Sequence, residues 1–108
     1  MLERLRRLSK PAPRGIELDL VQQRTVLTLL RFGECSFARL EGEVDAIRGA
    51  KPAEMVMAVM KLEQEKVLER LNPRTEGRQV STYRLTSTGR KAGRRIPRPP
   101  RSLVTVYV

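Results

Sequence analysis

The sequence contains no histidine and no tryptophan, and Cys35 is its one cysteine. Histidine is the commonest general base and the commonest metal ligand, so its absence excludes Ser-His-Asp and Cys-His arrangements. One cysteine without histidine leaves almost no ligand set for zinc, and it cannot form an intrachain disulfide, which suits a reducing compartment. We therefore expect no catalytic residues, no metal and no cofactor, and a protein that is not an enzyme.

Long hydrophobic runs are also missing. No stretch approaches the roughly 18 apolar residues of a membrane-spanning helix, and residues 1–15 lack the apolar run of a secretory signal. Aromatic residues make up only 4% of the 108 residues, so the core must be built from Leu, Val, Ile and Met. We expect one domain, located in the cytoplasm and without membrane contact.

Charge is abundant and unevenly placed. The net charge is +10, distributed as +3 over residues 1–18, −1 over residues 19–66 and +8 over residues 67–108. A strongly cationic segment beside a neutral one indicates a polyanionic partner. The other interpretation is a solvated face followed by a soluble tail, and Arg90, Lys91, Arg94 and Arg95 fit either.

The spacing of apolar residues predicts three main helices. The first covers residues 19–32, with Asp19 as the N-cap and Gly33 after its end. Ser36 caps the second, and Pro52 opens the third, which runs to about residue 65. A shorter basic segment with Leu2, Leu5 and Leu8 comes before them all and ends at two prolines.

The spacing of apolar residues changes from a helical to a strand-like pattern after the third helix. Residues 67–71 and 80–85 are β-type runs on either side of turn-forming residues 72–78, which predicts a hairpin with a basic tip. Thr86 caps a short helix over residues 87–94. Residues 95–101 are rich in Pro and Arg, and residues 102–108 have high β-propensity.

Two stretches resemble the MarR- and PadR-type transcription regulators. Residues 62–71, LEQEKVLERL, are similar to the exit of their recognition helix, and residues 77–92, GRQVSTYRLTSTGRKA, are similar to their second wing strand. The stretch from Tyr83 to Arg90 carries the strongest match, to a pattern close to Tyr-Arg-Leu-Thr-x-x-Gly-Arg. Two departures stand out: Lys66 takes the place of the usual glycine, and a long C-terminal helix is absent.

The resemblance covers residues 19–92 and implies an α+β winged helix-turn-helix of three helices plus a β-hairpin wing, with short terminal extensions. We divide the chain into a basic N-terminal arm (1–18), a winged-helix domain (19–95) and a Pro/Arg-rich linker with a C-terminal strand (96–108). The family's third helix lies in the major groove of double-stranded DNA, with the wing on the backbone or minor groove.

The outward face of the third helix carries side chains that are poorly suited to recognising DNA bases. Helical spacing turns Met55, Ala58, Val59 and Leu62 toward the core. The outward residues are then Ala53, Glu54, Val56, Met57, Met60 and Lys61. Of these only Lys61 is a residue type suited to base edges.

Three interpretations remain open. In the first, the domain regulates transcription by binding DNA largely through charge, using Lys51, Lys61, Arg70, Arg74, Arg78 and Arg84. In the second, it is a protein-interaction module whose partner covers Val56, Met57 and Met60. In the third, the N-terminal leucines or the C-terminal strand cover that patch.

The C-terminal strand is apolar on both faces, so we expect it to pair with its own sheet, another subunit or another protein. The stiff linker over residues 97–101 favours a tail that extends away from its own domain. We therefore predict a homodimer in which Leu103, Val104 and Val106 contribute to the interface.

Overall fold

The computed structural model describes residues 14–48, 52–71 and 81–108. In chain order its elements are β1 (Gly15–Asp19), α1 (Leu20–Phe32), β2 (Glu34–Ser36), α2 (Phe37–Arg48), α3 (Pro52–Gln64), β3 (Leu68–Arg70), β4 (Thr82–Leu85), α4 (Ser87–Arg95) and β5 (Leu103–Tyr107). The leucine segment at the N-terminus, the turn between α2 and α3 and the tip of the hairpin lie outside the described residues.

Short polar side chains begin the helices where the sequence predicts caps. The carboxylate of Asp19 accepts from the N–H of Gln22 at 2.8 Å, and the Gln22 side chain accepts from the N–H of Asp19 at 2.9 Å, which forms a capping box. The Ser36 hydroxyl accepts from the N–H of Arg39 at 3.2 Å, and that of Thr86 accepts from the N–H of Gly89 at 3.0 Å. These caps fix the starts of α1, α2 and α4.

The turn from α3 into the wing keeps the geometry that a glycine would give. Lys66 has φ 63°, in the left-handed region. Its N–H donates to the Glu63 carbonyl at 3.1 Å, and the N–H of Val67 donates to the Leu62 carbonyl at 2.9 Å. These are the two bonds of a Schellman motif. Lys66 therefore adopts the conformation of the glycine it replaces, at a steric cost of about 1 kcal/mol.

Strands β2, β4 and β3 form a three-stranded antiparallel sheet in that order. The sheet joins β2, which precedes α2, to the hairpin of β3 and β4. Helix α1 packs against α2, α3 and α4. The core between them consists mainly of aliphatic side chains, together with Phe37 and Tyr83. This arrangement of helices and hairpin is that of a winged helix, which confirms the predicted fold class.

The two ends of the described chain form a second, two-stranded sheet. Strand β1 pairs antiparallel with β5, from Gly15 opposite Tyr107 to Asp19 opposite Leu103. Residues 15–18, which the sequence placed in the N-terminal arm, are thus part of the fold. The tail also differs from the expected extended arm, because it returns to its own chain. The physical reason is Gln23, a fully buried side chain that binds the backbone of Arg101 and so holds the linker against α1.

Candidate nucleic-acid interface

Helix α3 has one buried face and one exposed face, as the helical spacing predicts. Its inward residues, Met55, Ala58, Val59 and Leu62, are all buried. On the other side Ala53 and Glu54 are exposed, while Met57 is 70% and Met60 37% exposed. Val56 is half-buried and packs against the core. The described residues, β5 included, leave Met57 and Met60 open to solvent.

Lys61 lies on the side of α3 that faces β1. Its ammonium donates to the carbonyl oxygen of Glu17 at 3.1 Å. Arg14, just before β1, forms an ion pair with Glu65 at 3.8 Å. Both contacts attach the C-terminal end of α3 to the small sheet. One hydrogen of the Lys61 ammonium is therefore already engaged within the protein.

Arg84 stands at the centre of the wing sheet and faces a carboxylate. Its register partners are Glu34 on β2 and Glu69 on β3. The guanidinium Nε contacts a carboxylate oxygen of Glu69 at 2.5 Å. The positive charge of Arg84 is therefore compensated by Glu69 at the base of the wing. We assign Arg84 a structural role in the sheet in preference to a role in binding phosphate.

Arg70 is also paired within the protein. Its guanidinium lies 3.7 Å from a carboxylate oxygen of Glu63, and only 19% of its side chain is exposed. The other three cations of the predicted interface, Lys51, Arg74 and Arg78, lie outside the described residues. Three of the six predicted interface cations thus lie within the described residues: Lys61, Arg70 and Arg84. Each of them contacts a carboxylate or a backbone carbonyl of the protein.

Exposed cations without a carboxylate partner occur on other elements of the described chain. On α4 the residues Arg90, Lys91, Arg94 and Arg95 are all exposed. Arg39, at the start of α2, is exposed as well and lies over the ring of Phe32 with 4.1 Å between guanidinium carbon and ring centroid. The sequence shows these cations, but it does not show which arginines face a glutamate across a sheet.

The residues of the predicted tail interface divide between the two faces of β5. Val106 is buried against its own chain and Val104 is half-buried, whereas Leu103 is 56% exposed. Tyr107, which the sequence did not single out, is 55% exposed on the same face as Leu103. The open face of β5 therefore carries Leu103 and Tyr107, and the valines face inward.

Cys35 is a buried core residue. Burial raises the pKa of its thiol, and the nearby Arg39 only partly opposes that effect. A buried thiol of raised pKa is a weak nucleophile. Across residues 14–48, 52–71 and 81–108 there is no group of three or more His, Cys, Asp or Glu side chains able to hold a metal ion. No helix in these ranges has the length and apolar character to span a bilayer.

Two solved structures share the fold. A MarR-family transcriptional regulator from Silicibacter pomeroyi matches over 71% of this chain and 50% of its own, with 18% identity and a TM-score of 0.57. ZitR from Lactococcus lactis, solved as a mutant, matches over 86% of this chain and 63% of its own, with 14% identity and a TM-score of 0.58.

The chain thus spans about half the length of the first structure and less than two thirds of the second. No protein-family model matches the sequence, and no curated protein is similar to it. The comparisons confirm a winged-helix fold of the MarR type.

Proposed function

We propose that this protein is a winged-helix transcription regulator that binds double-stranded DNA largely through charge. The observation that carries the proposal is the placement of α3. Its outward face is open to solvent beside a hairpin whose predicted tip carries Arg74 and Arg78, and winged helices use this pair of elements to hold a duplex. Arg74 and Arg78 belong to residues 67–108, whose net charge of +8 attracts polyanions such as DNA at long range.

The side chains on α3 favour low sequence selectivity. Base edges in the major groove are read by Arg, Lys, Asn, Gln, Ser or Thr. The exposed residues in the first half of α3 are Ala53, Glu54 and Met57, and none is of these types. Selectivity would then come from DNA shape and deformability, and affinity from phosphate contacts by Lys51, Lys61 and the wing. We further propose that the regulator is cytoplasmic and acts as a homodimer.

The test is the binding of the full chain to fluorescently labelled duplexes, one of random sequence and one set cut from genomic DNA, between about 50 and 300 mM salt. We expect log K to fall linearly with log salt, with little difference between the duplexes. Absence of binding to any duplex at the lowest salt would contradict the proposal. It would point to the other interpretation of α3, in which Met57 and Met60 contact a protein.

A further inference from the structure

The outer edge of β5 exposes backbone groups that the β1–β5 sheet does not use. Arg14 and Val108 exchange both of their backbone hydrogen bonds, at 3.2 and 2.9 Å. Bonded and non-bonded pairs alternate along an antiparallel ladder. With the observed register, Val104 and Val106 direct their N–H and C=O groups toward β1. Leu103, Thr105 and Tyr107 therefore direct theirs away from it.

Of the two outer edges of this sheet, that of β5 is the more open. On β1 the Glu17 carbonyl accepts from Lys61, and the N–H of Asp19 is bound in the capping box. On β5 the carbonyl of Tyr107 accepts from the Arg95 guanidinium. No further partner of these outward groups of β5 occurs among the described residues. A carbonyl has two lone pairs, so Tyr107 can still accept a second bond.

The exposed side chains of β5 are complementary to a second copy of the same strand. Leu103 and Tyr107 are both more than half exposed, and they lie on one face, two residues on either side of Thr105. Antiparallel self-pairing centred on Thr105 would place Leu103 opposite Tyr107 of the partner subunit. It would place the two Thr105 side chains opposite each other. Aliphatic–aromatic and Thr–Thr pairs both stabilise neighbouring strands.

We propose that β5 pairs with β5 of a second copy about a two-fold axis at Thr105. The product is a homodimer with a continuous four-stranded sheet in the order β1–β5–β5–β1. All outward backbone groups of β5 then find partners, and the open edge of the two-stranded sheet is covered. Because Lys61 and Arg14 attach α3 to β1, the two α3 helices lie at opposite ends of the joined sheet. This interface deepens the proposed function by specifying its homodimer, but it needs no DNA, so its failure would leave the DNA proposal standing.

The first test replaces Thr105 with proline in the full chain. Proline has no N–H, and at this position the lost N–H points away from β1, so the intrachain ladder stays intact. By light scattering we expect the wild-type chain and Thr105→Ala to have about twice the mass of the 12.3 kDa monomer. Thr105→Pro is expected to be a folded monomer. A wild-type monomer at about 100 μM, or a dimeric Thr105→Pro, would overturn the proposal.

The second test examines the register and remains informative if the proline variant fails to fold. L103K or Y107E alone removes the apolar pair and is expected to weaken self-association about tenfold. The double variant L103K/Y107E places the introduced lysine opposite the introduced glutamate of the partner and is expected to restore it. Within one chain the two positions are about 13 Å apart, too far to pair. A double variant weaker than either single one would overturn this register.

Discussion

The side-chain amide of Gln23 binds both backbone groups of Arg101. Its Nε2 donates to the Arg101 carbonyl at 2.6 Å, and its Oε1 accepts from the Arg101 N–H at 3.1 Å. The same Nε2 donates to the carbonyl of Leu18 at 3.0 Å. One buried side chain of α1 thus joins the end of β1 to the start of β5, which explains why the C-terminal strand returns to its own chain.

Replacing Gln23 with alanine should destabilise the fold. The change removes these bonds and leaves the part-buried N–H and C=O of Arg101 without their side-chain partner, at a cost of about 2–4 kcal/mol. The matched control is Gln22→Ala, which removes only the side-chain half of the capping box and should cost about 0.5–1 kcal/mol. Urea unfolding measures both. Equal losses for the two variants would show that Gln23 does not hold the linker.

Lys66→Gly should stabilise the protein. A side chain in the left-handed region carries a steric cost of about 1 kcal/mol or more, which glycine avoids, so we expect a gain of about 1 kcal/mol in the free energy of unfolding. Lys66→Ala removes the same charge but keeps the Cβ, so it should give no gain. If alanine stabilises as much as glycine, the charge of Lys66 and not its φ angle is the cause.

Local interactions made much of the fold predictable from the sequence. The caps at Asp19, Ser36 and Thr86 depend on residues close in the chain, and the buried face of α3 follows from helical spacing alone. The pairing of β1 with β5 was not predictable in this way, because its two strands come from opposite ends of the sequence. The alternation of Ile16 and Leu18 with polar residues fits a strand, but it does not show that the partner is the strand at the other end of the sequence.

The DNA interface was harder to predict from the sequence than the fold, for a related reason. A sequence shows that Arg70 and Arg84 are cations, but only the fold shows that Glu63 and Glu69 face them. Sheet register and helix packing decide which charges are compensated. The partners of Lys61 and Arg84 could therefore not be derived from composition or spacing, whereas the solvent exposure of Met57 could.

Changing Met57 and Met60 to lysine should tighten DNA binding. Both side chains are exposed, so the fold should lose little stability, and each added cation that reaches a phosphate steepens the salt dependence by about 0.9. Met55→Lys, on the buried face of the same helix, is the control and should unfold the domain. Unchanged DNA affinity and salt slope in a folded M57K/M60K variant would indicate that this face does not lie against the duplex.

If the wing and α3 hold DNA through charge, removing cations from the wing should weaken binding more than removing them from α4. The most direct measurement is the salt dependence of duplex binding for Arg74→Ala/Arg78→Ala beside Lys91→Ala/Arg94→Ala, which removes the same charge from α4. We expect the wing variant to bind every duplex more weakly, with a slope of log K against log salt that is flatter by about two. The α4 variant should keep nearly the wild-type slope. Unchanged affinity and slope in the wing variant would show that the wing does not hold the DNA.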